Sequence, residues 1–212
     1  GQTIIIATLL LGFGIKLALL PFHSWLPTTY AAAHPNTTAL IAAVVGKMGL
    51  FGILRIVLPL APLALIHYAQ MLVACLGAIA IVYGAMSALA QTDLRRLLAY
   101  SSISHIGFIT IGLMAMNQEG LSGASIQMIN HGLITAAMFL MVGMIEQRRG
   151  RIELRDEAHG LMAAYPRLGV FMVYFTLAAV GLPGLNSFVG EILAMMGMMR
   201  VSVVLTAFAV LG

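Results

Sequence analysis

Residues 181–191 read Gly-Leu-Pro-Gly-Leu-Asn-Ser-Phe-Val-Gly-Glu and interrupt a long apolar stretch. The residues before it (GVFMVYFTLAAV) and after it (ILAMMGMM) are almost all hydrophobic. Proline removes a backbone donor and clashes with the preceding turn, and glycine weakens a helix further. The stretch therefore predicts a helix that is broken in its middle, with Glu191 just beyond the break.

The composition around this break is that of a polytopic membrane protein. Hydrophobic residues make up 61% of the 212 residues, and charged residues only 8%. Soluble domains usually carry roughly a quarter charged residues, so a soluble fold would leave many apolar runs in water. A membrane-spanning helix needs about 20 mostly apolar residues. On that criterion we predict spans near residues 3–20, 38–58, 63–89, 97–116, 121–145 and 167–205.

The first predicted span is interrupted as well, because Pro21 and Pro27 follow Lys16 closely. Lipid cannot satisfy the backbone groups that a break sets free, so broken helices must be buried in protein or line a wet cavity. Each of the two breaks has one ionisable residue beside it, Lys16 or Glu191. Paired interruptions of this kind are typical of transporters built from repeats. Lys16 has an alternative role as a cation that caps the broken end of its helix.

Arginine is concentrated in two loops, residues 91–96 and 146–155, which the span count places on the same side of the membrane. The opposite loops, LPLAPLA and NQEGLSG, contain no lysine or arginine. This asymmetry predicts that the arginine loops are cytoplasmic or equivalent. We interpret their arginines as determinants of topology and solubility, with contacts of Arg95 and Arg96 to anionic lipid as an alternative. Aromatic residues do not alternate with them, so nucleic acid is not an expected partner.

Lys47 is the clearest ionisable residue within apolar sequence, with hydrophobic turns on both sides. An ionised side chain at mid-bilayer costs about 2.5–3.5 kcal/mol, so it is kept only if it is paired, hydrated or neutralised. Burial disfavours the charged form of a lysine, which would allow Lys47 to take up and release protons. The alternative is a structural ion pair with a helix outside this sequence.

Two histidines extend this pattern to neighbouring spans. His105 follows Ser101 and Ser102 by about one turn, which makes a polar strip suited to ordered water. His131 lies early in an apolar run, and histidine can pass protons between its two nitrogens. A buried structural histidine is the alternative for each. Arg55 cannot deprotonate, so we exclude it. The predicted proton relay consists of Lys16, Lys47, His105, His131 and Glu191.

The order of these motifs resembles the antiporter-like membrane subunits of respiratory complex I, over nearly the whole chain. Related sequences occur in multisubunit cation/proton antiporters and in membrane-bound hydrogenases. The resemblance lies in Lys16 with PFHSWLP at 21–27, Lys47-Met-Gly, QTDLRRLLAYSSISHIGF at 91–108, the run that begins at His131, and GLPGLNSFVGE at 181–191.

This resemblance implies an all-α polytopic fold of inverted five-helix repeats with two discontinuous helices. The sequence would be an internal fragment of about six transmembrane helices. Residues 1–60 would end the first repeat, and residues 61–212 would form most of the second. The family's proton path would run through the five relay residues. Glutamate at position 191, where lysine is common in the family, is typical of one branch. Two departures from the family pattern, at residues 155–161 and 34–36, lie away from the path.

The implied activity is proton translocation in an NADH:quinone oxidoreductase, driven by electron transfer in partner subunits. The sequence has no Cys-x-x-Cys set, no Gly-rich nucleotide loop and a single cysteine, so we expect no cofactor and no metal in this chain. NADH, FMN, iron–sulfur clusters and quinone would be bound by the partner subunits.

The expected partners are neighbouring antiporter-like subunits and lipid, with no soluble small-molecule substrate. The expected location is the bacterial inner membrane or the mitochondrial inner membrane. Three alternative functions remain open from the sequence: a Na⁺/H⁺ antiporter subunit, a subunit of a proton-pumping hydrogenase, and a structural membrane scaffold.

Overall fold

The computed structural model describes residues 2–60, 63–154 and 160–211, and these residues are almost entirely helical. The all-α prediction is therefore confirmed. The departure at residues 155–161 lies largely outside the described residues. The helices are α1 Gln2–Leu17, α2 Trp25–Ala32, α3 Pro35–Leu60, α4 Leu63–Leu89, α5 Leu94–Met114, α6 Gln118–Arg149, α7 Leu161–Ala164, α8 Pro166–Ala179, α9 Asn186–Met199 and α10 Val203–Val210.

Four helices in the described part of the chain are long and apolar enough to cross a membrane: α3, α4, α5 and α6. Helices α1 and α8 are shorter apolar helices, because each ends at a break. At 1.5 Å per residue, the 32 residues of α6 extend well beyond a hydrocarbon core of about 30 Å. The chain is an integral membrane protein.

The break predicted in the first span lies between α1 and α2. Helix α1 ends at Leu17, and Ala18 takes a left-handed conformation with φ of 59°. The indole Nε1 of Trp25 donates a hydrogen bond of 3.0 Å to the carbonyl of Ile15. On the other side of the loop, Nε2 of His23 lies 3.1 Å from the hydroxyl of Tyr83 on α4. These two side-chain contacts stabilise the interrupted backbone, whose polar groups lipid could not satisfy.

The second break is made by the stretch around Pro183. Helix α8 ends at Ala179 and α9 begins at Asn186. Between them, Gly181 and Gly184 have φ values of 73° and 96°, a region that glycine enters without steric cost. The Gly-Pro-Gly sequence therefore produces the predicted interruption. One difference is that the last span is also divided near residue 200, where α9 ends and α10 begins at Val203.

Helix α3 departs from the predicted span in a way that the hydrophobic pattern does not reveal. It begins at Pro35, where proline is tolerated because the first helical N–H has no partner. Two segments, Ile41–Val45 and Ile53–Val57, are π-helical, and the α-helical turns that contain Lys47 lie between them. Such bulges are frequent at functional sites. Arg55 lies in the second π segment and is exposed.

Helix α5 is the most deeply buried helix of the described chain, packed between α4 and α6. Every residue from Ser102 to Ala115 is buried except His105. Close approach to α4 depends on glycine, because a methyl group added at Gly84 would lie 2.6 Å from the amide nitrogen of Ser104. His105 is thus the one residue on this stretch of α5 that is only partly buried.

The two arginine loops meet in space, as expected for loops on one side of the membrane. Thr92 accepts a backbone hydrogen bond of 2.9 Å from Leu154, and Arg151 pairs with Asp93 at 2.7 Å. The structure shows a packing role for Arg95 that the sequence did not predict, whereas the effect of these arginines on topology stays a prediction. Arg95 is buried, with 8% of its surface exposed, and its guanidinium pairs with Glu146.

Arg95 also connects these loops to α2. Its Nη1 donates a hydrogen bond of 2.6 Å to the carbonyl of Ala33, just beyond the end of α2, and Arg151 donates to the carbonyl of Ala31 at 3.2 Å. These carbonyls lack partners within the helix, and guanidinium groups satisfy them. The four charged residues Asp93, Arg95, Glu146 and Arg151 form what we call the α2 clasp.

Candidate functional site: a buried row of ionisable groups

Glu191 lies in the second turn of α9, just past the helix break. Its Oε1 accepts a hydrogen bond of 2.9 Å from Nε2 of Gln127 on α6, and the same oxygen lies 3.2 Å from Nδ1 of His105 on α5. A methyl group added at Gly181 would overlap the other oxygen, Oε2, so there is no room for a side chain there. Three helices and the break therefore converge on one carboxyl group.

A cavity of about 410 Å³ adjoins this carboxyl group. Ser101, His105 and Glu191 line it together with Thr176 of α8, among mostly apolar residues. The predicted polar strip on α5 is only partly present, because Ser102 turns its hydroxyl to the carbonyl of Leu98 at 2.9 Å. Ser101 is therefore the hydroxyl of the predicted pair that faces the same space as His105.

His131 continues the row from α5 toward α3. It is buried, with 3% of its surface exposed, and its ring centroid lies 5.1 Å from that of His105. Its Nε2 is buried and has no hydrogen-bond partner among the described residues. The two imidazole rings thus lie side by side between Glu191 and α3. Each has a ring nitrogen with no hydrogen-bond partner among the described residues.

Lys47 stands at the other end of this row. A methyl group added at Gly132, the neighbour of His131, would lie 3.9 Å from Cε of Lys47, so α3 and α6 are close at this level. The ammonium group of Lys47 donates to the carbonyl of Ala42, within the first π segment of α3. We call Lys47, His131, His105, Gln127 and Glu191 the polar row.

Lys16 is placed apart from the polar row. It is exposed near the end of α1 and lines an open groove of about 770 Å³ that Lys47 also lines. Among the described residues no hydrogen bond or ion pair involves its ammonium group. Lys16 lies in the last turn of α1, where a cation is favourable for the helix dipole, so its alternative role as a cap of the break stays a prediction.

Gln127 is the functional residue that the sequence reading missed. Its side chain is completely buried, and its amide bonds directly to Glu191. The sequence did contain an indication of this residue, because Gln127 is a polar residue in an apolar helix about one turn before His131, on the same face. The bond of Lys47 to Ala42 had no such signal, since a π segment cannot be read from hydrophobic periodicity.

The described residues contain no group of three or more His, Cys, Asp or Glu side chains arranged to hold a metal ion. The chemistry that the polar row does offer is proton exchange. Four of its five members, one amine, two imidazoles and one carboxyl group, can each bind or release a proton, and the fifth is the amide of Gln127.

Discontinuous helices and ionisable residues within membrane-spanning helices are features of ion-translocating membrane proteins. The model of one family, described as "NADH:quinone oxidoreductase/Mrp antiporter, TM", matches residues 1–212. The chain belongs to this family, which confirms the resemblance predicted from the sequence.

Individual relatives are consistent with the branch that Glu191 indicated. The chain is 38% identical over 211 residues to NADH-quinone oxidoreductase subunit M of Rickettsia bellii, and the match covers 100% of this chain and 42% of that protein. The chain therefore spans less than half the length of the curated relatives it matches. The division into repeats at residue 60 stays a prediction.

Solved structures are similar to this fold as well. Respiratory complex I from Thermus thermophilus with bound NADH contains a chain with a TM-score of 0.93 and 35% identity, covering 99% of this chain and 44% of that one. The Mrp complex from Dietzia sp. DQ12-45-1b contains a chain with a TM-score of 0.90 and 25% identity, covering 98% of this chain and 38% of that one.

Proposed function

We propose that this chain is part of a proton-translocating membrane subunit of an NADH:quinone oxidoreductase. Protons would move between Lys47 and Glu191 through His131, His105 and water, with Lys16 feeding the row from the groove it shares with Lys47. The observation that carries this proposal is the contact of His105 with both His131 and Glu191, at 5.1 Å between rings and 3.2 Å to the carboxyl oxygen.

The chemistry of each member suits this role. An imidazole can accept a proton on one nitrogen and release it from the other. A charge on one group changes the proton affinity of the next, because like charges disfavour protonation and opposite charges favour it. A positive charge arriving at Lys47 would therefore drive a proton from the histidines toward Glu191. Such coupling needs neighbours in a poorly screened interior, which the burial of His131 supplies.

The energy for translocation would come from outside this chain. In this proposal, NADH, FMN, iron–sulfur clusters and quinone are bound by partner subunits, and neighbouring antiporter-like subunits and lipid surround the chain. The arginine loops would face the cytoplasm or its equivalent, in a bacterial or mitochondrial inner membrane. The printed names of the relatives support this assignment, since they are subunits of NADH-quinone oxidoreductase.

The test replaces the two ends of the polar row in the whole complex, reconstituted into vesicles. We expect Lys47→Ala and Glu191→Ala to reduce proton pumping per electron to about a tenth or less, because a positioned proton-transfer group contributes typically 10²–10⁴-fold. Met48→Ala is the matched control, since Met48 is the exposed neighbour of Lys47 on α3. Assembly is checked by native electrophoresis. Full pumping in either variant would contradict the relay.

A second candidate function is exchange of Na⁺ for H⁺, which the similarity to a chain of the Mrp complex favours. Sodium-dependent proton flux in vesicles without any electron donor would support it. The composition of the purified complex separates the remaining alternatives, because nickel–iron partners indicate a hydrogenase and flavin partners an NADH oxidoreductase. A structural scaffold predicts a loss of stability in the Lys47 variant without a loss of pumping.

A further inference from the structure

Gln127 is an unusual residue for its position. Its side chain is completely buried in α6, where the helix packs against α9. A buried amide costs free energy unless its donors and its acceptor find partners. A leucine would fill the same space without that cost. The contacts of the amide should therefore show why a glutamine is present here.

The contacts of the amide are one-sided. Nε2 donates to Oε1 of Glu191 at 2.9 Å, whereas Oε1 of Gln127 is buried and has no partner among the described residues. A methyl group added at Gly190 would lie 2.5 Å from that oxygen, so the amide rests on the bare backbone of α9. This close packing places the amide next to the carboxyl group of Glu191, the residue that follows Gly190.

Gln127 makes the only well-directed hydrogen bond to Glu191 in the described part of the chain. Nδ1 of His105 comes within 3.2 Å of the same oxygen, but its N–H direction does not complete a hydrogen bond. The amide therefore sets the position of the carboxyl group, and the imidazole lies beside it as a separate proton donor or acceptor.

We propose that Gln127 is a positioning residue that remains bonded to Glu191 in both of its protonation states. Toward the carboxylate, the NH₂ group donates. Toward the carboxylic acid, the amide turns by half a rotation and its carbonyl oxygen accepts the acid proton. The free Oε1 is the acceptor that the second state uses. This inference rests on the proposed function, because it assumes that Glu191 exchanges protons.

The test uses the infrared C=O stretch of protonated Glu191 in the whole complex, assigned by its absence in Glu191→Gln. In Gln127→Met, which keeps the length of the side chain but has no amide, we expect the band to move to higher wavenumber because the acid has lost its partner. We also expect pumping per electron to fall about tenfold, as when a hydrogen bond to a charged group is lost.

The matched control is Gln70→Met, the same substitution at an amide that donates to the carbonyl of Met114 and not to Glu191. It should leave the band unchanged. Gln127→Asn serves if the methionine variant does not assemble, because its shorter amide cannot reach Glu191 and should produce the same band shift.

Three results would overturn the inference: an unmoved band in an assembled Gln127 variant, an equal shift in Gln70→Met, or a band of the unsubstituted protein at the wavenumber of a free acid. The last measurement requires no variant at position 127. Full pumping in Glu191→Gln would instead refute the proposed function, so the two failures are distinguishable.

Discussion

Glu191 illustrates how single residues decide this site. Its carboxyl group accepts a hydrogen bond from an amide on α6, lies 3.2 Å from an imidazole nitrogen on α5 and packs against Gly181 in the helix break. The sequence alone identified Glu191 and His105, because an ionisable residue in apolar sequence is conspicuous. It did not identify Gln127, because a single neutral amide in a helix has many structural explanations.

Substitutions at Gly181 and Gly184 distinguish two effects. Both would strain the backbone, but only one would displace the carboxyl group of Glu191. Both have positive φ, so alanine at either position should cost roughly 1–2 kcal/mol. Only at Gly181 would the new methyl group also displace the carboxyl group of Glu191, since a methyl group at Gly184 would meet no atom within 4 Å beyond its chain neighbours. We expect Gly184→Ala to lower thermal stability and keep pumping, and Gly181→Ala to lower both.

The measurements for this pair are the thermal denaturation midpoint of the purified complex and proton pumping per electron. Equal pumping in the two alanine variants would mean that the contact between Gly181 and Glu191 is not needed for the site.

At the scale of the elements, the α2 clasp ties the short helix after the first break to α5 and α6. Hydropathy could not predict it, because its arginines were assigned to solvent by their place in a loop. Arg95 lies in the first turn of α5 and keeps only 10% of its side chain exposed, whereas Arg151 keeps 55% of its side chain exposed. The two arginines therefore differ in burial, which could not be predicted from the sequence.

This difference predicts unequal effects of the two arginines on stability. Removing one partner of a buried ion pair costs about 3–5 kcal/mol, whereas an exposed pair contributes about 0–1 kcal/mol. We therefore expect Arg95→Gln to lower stability by about 3 kcal/mol and to speed amide hydrogen exchange in residues 25–33. Arg151→Gln is the control and should change the stability and the amide hydrogen exchange only a little.

A double variant that removes both charges of the Arg95–Glu146 pair provides a further check on the α2 clasp. Adding Glu146→Gln to Arg95→Gln removes the unpaired carboxylate and should recover part of the lost stability. Equal stability of the Arg95 and Arg151 single variants would show that burial of the Arg95 pair does not stabilise the end of α2.

For the whole molecule, hydrophobic runs predicted the order of the apolar helices, and prolines and glycines predicted both breaks, but not the further division of the last span near residue 200. The bounds differed where other forces act: α3 begins earlier, at a proline, and α6 extends to Gln118 and Arg149 because polar residues at its ends lie beyond the hydrocarbon region. Periodicity also could not reveal which faces of the helices meet. The neighbouring placement of His105, His131 and Lys47 therefore became visible only in the folded chain.

The most direct test of this account is a high-resolution density map of the whole complex in lipid, inspected for ordered water between Lys47 and Glu191. The account predicts water molecules that connect Nζ of Lys47, the rings of His131 and His105, and the carboxyl group of Glu191. A map in which lipid tails or apolar side chains fill those spaces, and leave the four groups without a hydrated connection, would contradict it.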